Sequence, residues 1–276
     1  MYRIEKVLNN NSILASKDNQ EVIFLGKGIG FGKKINDIYI PGDGVKKYKM
    51  ETKEQEKRLP HEIIRNVDPV FIEIASDIIR FAQEQFDHVD TKILLPLADH
   101  IDFAIKRIQE NVNMSNPFTK DIELLFPEEY KVALKGKHLI NSITGFEITE
   151  DEVGYITLHV HSAISTDHVG ESMQAMEIIH ESIDKLRKEL NIGIDRNSIS
   201  YIRLMNHIKY LLLRLNTEEK LQMDISDFTQ ERFPFAYERS KEICIRLSKV
   251  MKKEIPQSEI GYLALHLERI LSIELK

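Results

Sequence analysis

The chain has 276 residues and a mass of 32.1 kDa, which is enough for two or three domains of ordinary size. Hydrophobic residues make up 42% and charged residues 30% of the sequence, a balance that predicts a folded protein without a membrane-spanning or secretory segment. The single cysteine, Cys244, excludes a disulfide framework and a cysteine-rich zinc site. We therefore expect a cytoplasmic protein with no stable membrane insertion.

The net charge of −6 is unevenly distributed along the chain. Residues 1–55 have 10 Lys and Arg against 7 Asp and Glu, whereas the rest of the chain has 28 against 37. A basic head followed by an acidic body suggests that the head meets an anion such as nucleic acid. Two solvated surfaces of different composition would explain the same charges.

The first 55 residues predict a small antiparallel sheet. They contain six of the twelve glycines, and turn residues separate their short β-rich runs. The predicted strands are Tyr2–Leu8, Ile13–Ser16, Glu21–Leu25 and Ile35–Ile40. Because one sheet of this size buries little surface alone, we expect the head to dimerise face to face.

Residues 45–58 are highly charged and are predicted to be a linker. From Pro60 onward, apolar residues recur at spacings of three and four, which is typical of amphipathic helices. The clearest predicted helices are Ile63–Gln85, Pro96–Gln109, Met173–Leu190 and Ile199–Leu215. The body is therefore predicted to be all-α.

An internal repeat with an offset of 107 residues divides this body into two modules. His100 aligns with His207 and His159 aligns with His266 without an insertion. The same offset aligns further pairs, which include Arg107 with Arg214, Glu152 with Glu259, Tyr155 with Tyr262 and Phe126-Pro127 with Phe233-Pro234. A period this long indicates duplicated domains rather than a solenoid.

The repeat makes the four matched histidines the candidate functional residues, with one predicted pair in each module. His100 lies in a helix predicted to begin near Pro96, and Arg107 lies two turns further on roughly the same face. We therefore expect Arg107, and Arg214 in the second module, to approach an anion near the histidine. The second histidine of the first module follows a capping box that starts at Thr149.

Three kinds of chemistry are open to these histidines. Metal ligation with Asp99 and Glu152 is one, although no His-x-x-x-His pair supports it. General acid and base catalysis is the second, but no nucleophile elbow, phosphate loop or dinucleotide fingerprint accompanies it. Phosphorylation of the imidazoles is the third, and it would add a charge of about −2 that can remake or break an interface.

Several motifs resemble a known family of regulators. Ile4–Asn11, Gly26–Phe31 and Lys33-Lys34 resemble the co-antiterminator RNA-binding domain of BglG/SacY-type transcriptional antiterminators. The segments 99–101, 154–159, 206–208 and 261–266 resemble the histidine motifs of its two PTS regulation domains. The domains implied are RNA binding at 1–55, a linker at 56–64, and regulation domains at 65–168 and 169–276.

The resemblance implies a small antiparallel β-sheet RNA-binding domain followed by two homologous all-α helical-bundle domains. Such a protein stabilises an antiterminator hairpin in the leader of a sugar-utilisation operon. It acts as a homodimer, is not an enzyme and needs no cofactor. Its phosphoryl donors are HPr, which activates, and a sugar-specific PTS permease (enzyme II), which inactivates.

The resemblance also implies roles for residues of this sequence. The predicted RNA-binding residues are Lys6, Asn11, Gly26, Lys27 and Phe31, and the predicted phosphorylation sites are His100, His159, His207 and His266. Asp99, Arg107 and Arg214 are predicted to support the phosphate sites. Two alternatives remain open at this stage. Phe31 would be a core residue beside a glycine bulge, or the chain would be a helical metal-dependent enzyme with a histidine-lined site.

Overall fold

The computed structural model describes residues 1–18, 20–50, 58–112, 114–165, 169–217, 219 and 221–274. Residues 51–57 and 166–168, where predicted domain boundaries fall, lie outside these ranges. The chain forms two compact units. The first contains Met1–Ser115 and Glu128–Ser165, and the second contains Asn116–Pro127 and Thr166–Lys276.

The described part of the head forms a five-stranded antiparallel sheet in the order β4-β1-β2-β3-β5. Its strands are β1 (Tyr2–Asn9), β2 (Ser12–Lys17), β3 (Gln20–Leu25), β4 (Ile38–Tyr39) and β5 (Lys46–Lys49). Alternate residues of β2 and β3 are buried on opposite faces. Ile13 and Phe24 belong to a core within the head, whereas Leu14 and Ile23 belong to a core shared with the first helical module.

The structure corrects two strand predictions. The segment Ile35–Ile40 is mostly turns, and its strand is limited to β4. Lys46–Lys49, predicted to be linker, is an edge strand that pairs with β3. Its one apolar residue, Tyr48, is buried while the flanking lysines face outward, so its charge is that of a protected sheet edge rather than a linker.

Helices make up nearly all of the rest of the described residues. They are α1 (Arg58–Asn66), α2 (Pro69–Gln85), α3 (Leu94–Gln109), α4 (Thr119–Leu125), α5 (Pro127–Thr144), α6 (Glu150–Ile164), α7 (Val169–Leu190), α8 (Ile199–Thr217), α9 (Ser226–Arg232), α10 (Pro234–Met251) and α11 (Gln257–Glu274). Among the residues described, no helix is long and apolar enough to cross a membrane.

The predicted helix Ile63–Gln85 is two helices in the structure. Asp68 caps α2 by accepting a hydrogen bond from the Val70 amide at 2.9 Å. Pro69 takes the first helical position, where its missing N–H costs nothing. The residue before a proline disfavours helical backbone, so the Asp68-Pro69 pair ends one helix and begins the next.

The helix boundaries reproduce the sequence repeat. The starts of α4, α5 and α6 are followed 107 residues later by the starts of α9, α10 and α11. The predicted fold class, a small antiparallel sheet followed by two homologous helical modules, is confirmed. The predicted limits of the two modules remain a prediction, and residues 116–127 pack within the second compact unit.

Candidate functional site

The predicted RNA-binding face of the head is organised around Asn11. Its side-chain oxygen accepts a hydrogen bond from the Gly28 amide at 2.9 Å, and its carbonyl accepts one from the Gly26 amide at 2.9 Å. Gly28 has a positive φ of 73°, which glycine adopts without strain. Asn11 therefore fixes the glycine-rich loop that contains Lys27.

The same loop approaches the β1–β2 turn closely at Gly30. The Gly30 amide donates to the Asn10 carbonyl at 2.9 Å, and a Cβ at Gly30 would lie 2.1 Å from the Asn9 carbonyl oxygen. The next side chain, Phe31, is 76% exposed. The alternative that Phe31 is a core residue is therefore wrong, and its ring is free to stack.

The structure brings part of the predicted RNA-binding set together. Asn11, Gly26 and Lys27 line one cavity, and Phe31 follows in the same loop. Lys6 is engaged elsewhere, because its Nζ donates to the Ile64 carbonyl of α1 at 3.1 Å. The head thus presents a compact polar surface with one protruding aromatic ring.

In the first helical module, α3 and α6 bring two histidines together. The ring centroids of His100 and His159 lie 5.2 Å apart, and the Tyr155 ring lies 5.6 Å from that of His100. Glu152 is 3% exposed, and its Oε2 lies 3.2 Å from Nε2 of His100. Arg107 donates from Nη2 to the other oxygen of Glu152 at 2.6 Å.

The second module repeats this arrangement on α8 and α11. The rings of His207 and His266 are stacked with centroids 4.9 Å apart, as the repeat predicts. Arg214 donates to Glu259 from both Nε and Nη2, at 2.6 Å and 2.8 Å. Oε2 of Glu259 lies 3.7 Å from Nε2 of His207, and Tyr262 lies 6.1 Å from the same ring.

The surroundings keep most of these imidazoles neutral. Burial, together with the charge of His100, lowers the pKa of His159 to about 3. Burial, together with the charges of His266 and Arg214, lowers the pKa of His207 to about 3. Burial also lowers the pKa of His266. At neutral pH each of these rings therefore offers a nitrogen lone pair.

Burial alone would raise the pKa of Glu152, but its contacts with His100 and Arg107 outweigh burial and lower that pKa. The carboxylate is therefore ionised beside the histidine. Sequence reasoning had considered Glu152 only as a cap or a metal ligand. The repeat contained the missing signal, since Glu152 aligns with Glu259.

Asp99 does not take the position beside the imidazole that its place in the sequence suggests. It is exposed on α3, as is its repeat counterpart Asn206 on α8. The buried carboxylate next to His100 is Glu152. A supporting role for Asp99 remains a prediction.

The two other histidines with described ion pairs belong to different networks. Nδ1 of His161 lies 3.0 Å from Glu129. His180 lies 2.8 Å from Arg196, which also pairs with the buried Asp121. These are contacts between neighbouring helices rather than histidine pairs. Within the described ranges, no group of three or more His, Cys, Asp or Glu side chains is arranged to hold a metal ion.

Comparisons with known proteins agree with this architecture. A family model described as "CAT RNA binding domain" matches residues 2–57, and one described as "PRD domain" matches residues 72–163 and 180–270. The chain belongs to the family of CAT–PRD antiterminators. It is an RNA-binding transcriptional antiterminator regulated by the sugar phosphotransferase system.

Similar proteins cover nearly the whole chain. "Protein GlcT" from Staphylococcus aureus strain bovine RF122 / ET3-1 is 32% identical over 273 residues, which are 96% of this chain and 95% of the relative. The protein of the same name from strain JH9 gives the same identity and coverage. A solved structure, "Crystal structure of GlcT CAT-PRDI", is 38% identical with a TM-score of 0.52 and covers 59% of this chain and 98% of its own.

These matches confirm the family and the function predicted from the motifs. The alternative of a metal-dependent enzyme has no support from them. The family assignment explains why a basic head precedes two duplicated helical modules. It leaves open which residues contact RNA and which accept phosphate.

Proposed function

We propose that His100, His159, His207 and His266 are the phosphoryl acceptors of this antiterminator, with HPr and a sugar-specific permease (enzyme II) as donors. The observation that carries the proposal is the pairing of two imidazoles beside a buried Glu–Arg pair, built twice. It supports a shared role because the two modules keep these residue types at the same relative positions.

The chemistry of the step suits a neutral imidazole. A ring nitrogen attacks the phosphorus of the phosphorylated donor, and the bond between phosphorus and the donor breaks as the new N–P bond forms. The accepting ring loses its N–H proton to solvent. The charge of about −2 then lies beside an ionised buried carboxylate, so the two repel each other.

Arg107 connects this charge to the protein surface. It donates to Glu152, and its guanidinium also lies 4.7 Å from the ring centroid of Phe103, which is 59% exposed. A phosphate at His100 would compete with Glu152 for Arg107. Any movement of Arg107 would then change the surface formed by Phe103.

This surface supports a homodimer. Phe103 and its repeat counterpart Tyr210, which is 54% exposed, are large apolar side chains at equivalent positions of α3 and α8. Exposed apolar groups at matched positions are typical of interfaces between proteins. We expect phosphorylation to alter the association of two chains through these helices, with sedimentation equilibrium as the measurement.

For RNA recognition we propose Lys6, Asn11, Gly26, Lys27 and Phe31. The exposed ring supports stacking on an unpaired base, and the lysines and amides support contacts to phosphates. Lys27 lacks the planar fork of an arginine, so its contact would be mainly electrostatic. The proposed role is regulatory, in the cytoplasm, with no catalytic activity or cofactor of its own.

Phosphopeptide mapping tests the proposed acceptors. The full chain is incubated with phosphoenolpyruvate, enzyme I and HPr, with and without the permease domain. We expect phosphate at the four proposed histidines and its loss, site by site, in the His→Gln variants. His161→Gln is the matched control, since His161 contacts Glu129 instead. Phosphate that persists when all four sites are replaced would contradict the assignment.

A further inference from the structure

The RNA-binding face of the head makes polar contacts with helix α2 of the first module. Glu73 accepts hydrogen bonds from the side-chain nitrogens of Asn9 at 2.7 Å and Asn11 at 3.2 Å. One helical turn further on, Asp77 lies 3.3 Å from Nζ of Lys46. Both carboxylates therefore lie on the face of α2 that meets the head.

A cavity of about 210 Å³ marks the place where these contacts and the proposed RNA site meet. Its lining includes Asn11, Gly26 and Lys27 from the head, and Glu73 and Asp77 from α2. Three of the five residues proposed to contact RNA thus share a small polar space with two carboxylates. The Asn11 amide that would donate to an RNA phosphate donates to Glu73 instead.

Apolar packing holds the two elements in this position. On the head, Leu14, Ile23 and Leu25 belong to the same buried core as Ile72 and Ile74 on either side of Glu73. Tyr48 adds a buried hydrogen bond of 2.7 Å to Ser76 of α2. The carboxylates are consequently presented to the RNA-binding face at a fixed height rather than on a loose segment.

We propose that Glu73 and Asp77 act as an internal competitor for RNA, with Glu73 bonded to Asn11 in the free protein and displaced by an RNA phosphate on binding. The inference rests on the proposed RNA contacts. Carboxylate and phosphate oxygens take the same amide and ammonium donors. Two fixed negative charges beside that site also repel the RNA backbone. RNA affinity is therefore lower than the head surface alone would give.

The test compares the full chain with its Glu73→Ala/Asp77→Ala variant. The probe is a hairpin RNA enriched on the wild-type protein from a library with randomised loops and bulges. Glu84→Ala is the matched control, because Glu84 lies on the same helix and pairs with Arg80 rather than with the head. Thermal unfolding of each protein verifies that the fold is retained.

The double variant should bind the hairpin about 5-fold or more tightly than wild type, while Glu84→Ala should bind like wild type. The advantage should shrink in 0.5 M salt, where screening weakens the repulsion at about 3–4 Å Debye length. Equal affinities, or an advantage independent of salt, would overturn the competitor role alone. If neither protein enriches or binds any hairpin, the proposed RNA contacts themselves fail.

Discussion

Arg214 grips Glu259 through two hydrogen bonds, of 2.6 Å from Nε and 2.8 Å from Nη2. Glu259 is 3% exposed, so its charge depends on this partner. The carboxylate also faces His207 at 3.7 Å. The guanidinium predicted to meet phosphate is thus already bound to a carboxylate, and the proposed switch is an exchange of partners.

Arg214→Ala should destabilise the second module strongly. The substitution leaves the Glu259 carboxylate buried without its cation, which typically costs on the order of 3 kcal/mol. Urea unfolding of the full chain measures the loss. Glu259→Gln combined with Arg214→Ala should recover part of it, because no unpaired charge then remains. A single variant as stable as wild type would contradict the buried pair.

Stability should fall as the pH drops from about 6.5 toward 3. Burial lowers the pKa of His159 and of His207 to about 3, whereas an imidazole in the unfolded chain titrates near 6.5. Between these values the unfolded chain binds protons that the folded chain does not. Each ring therefore removes up to about 1.4 kcal/mol per pH unit as the pH falls, and the full stability returns above 6.5.

The variants His159→Gln and His207→Gln should each flatten this pH dependence. Urea midpoints at pH 7, 6 and 5 provide the comparison. His138→Gln, at an exposed position of α5, serves as the control and should keep the wild-type slope. A variant slope equal to that of wild type would mean that these rings do not stay neutral in the folded protein.

Gly30→Ala should loosen the head. The new methyl group would lie 2.1 Å from the Asn9 carbonyl oxygen, and relief of such a clash costs roughly 1–3 kcal/mol. Hydrogen exchange of peptides from residues 1–50 should rise. Gly42→Ala is the matched control, because a Cβ there meets no atom within 4 Å. Equal exchange in both variants would argue against the tight turn.

Phe31→Ala should weaken RNA binding by about 1–3 kcal/mol if the exposed ring stacks on a base. Filter binding of the full chain to the enriched hairpin gives the affinity. Ile40→Ala removes another exposed apolar side chain of the head without removing a ring, and it should bind RNA like wild type. Equal losses in both variants would point to general damage rather than stacking.

The repeat predicted the histidine pairs because duplication preserves spacing. A common offset placed His100 with His159 and His207 with His266 before any coordinates were considered. It could not predict that Glu152 would contact His100 and Arg107 together. That contact depends on the packing of α6 against α3, and a buried glutamate looks the same in sequence as an exposed helix cap.

The head was predictable in outline and less so at its edge. The strands with turn residues between them emerged from local pattern, whereas β5 was hidden because lysines surround its one buried tyrosine, Tyr48. The contact between Asn11 and Glu73 joins residues 62 positions apart. No local pattern encodes a pairing of that separation, which the apolar packing of the sheet on α2 brings about.

The central claim is that phosphate on the paired histidines controls RNA binding by the head. The most direct measurement is the hairpin affinity of the full chain after phosphorylation by HPr alone and by HPr with the permease domain. The account predicts binding about 10-fold weaker with the permease domain, and no difference when His100, His159, His207 and His266 are all replaced by Gln. Unchanged affinity in wild-type protein with phosphate confirmed on these histidines would contradict it.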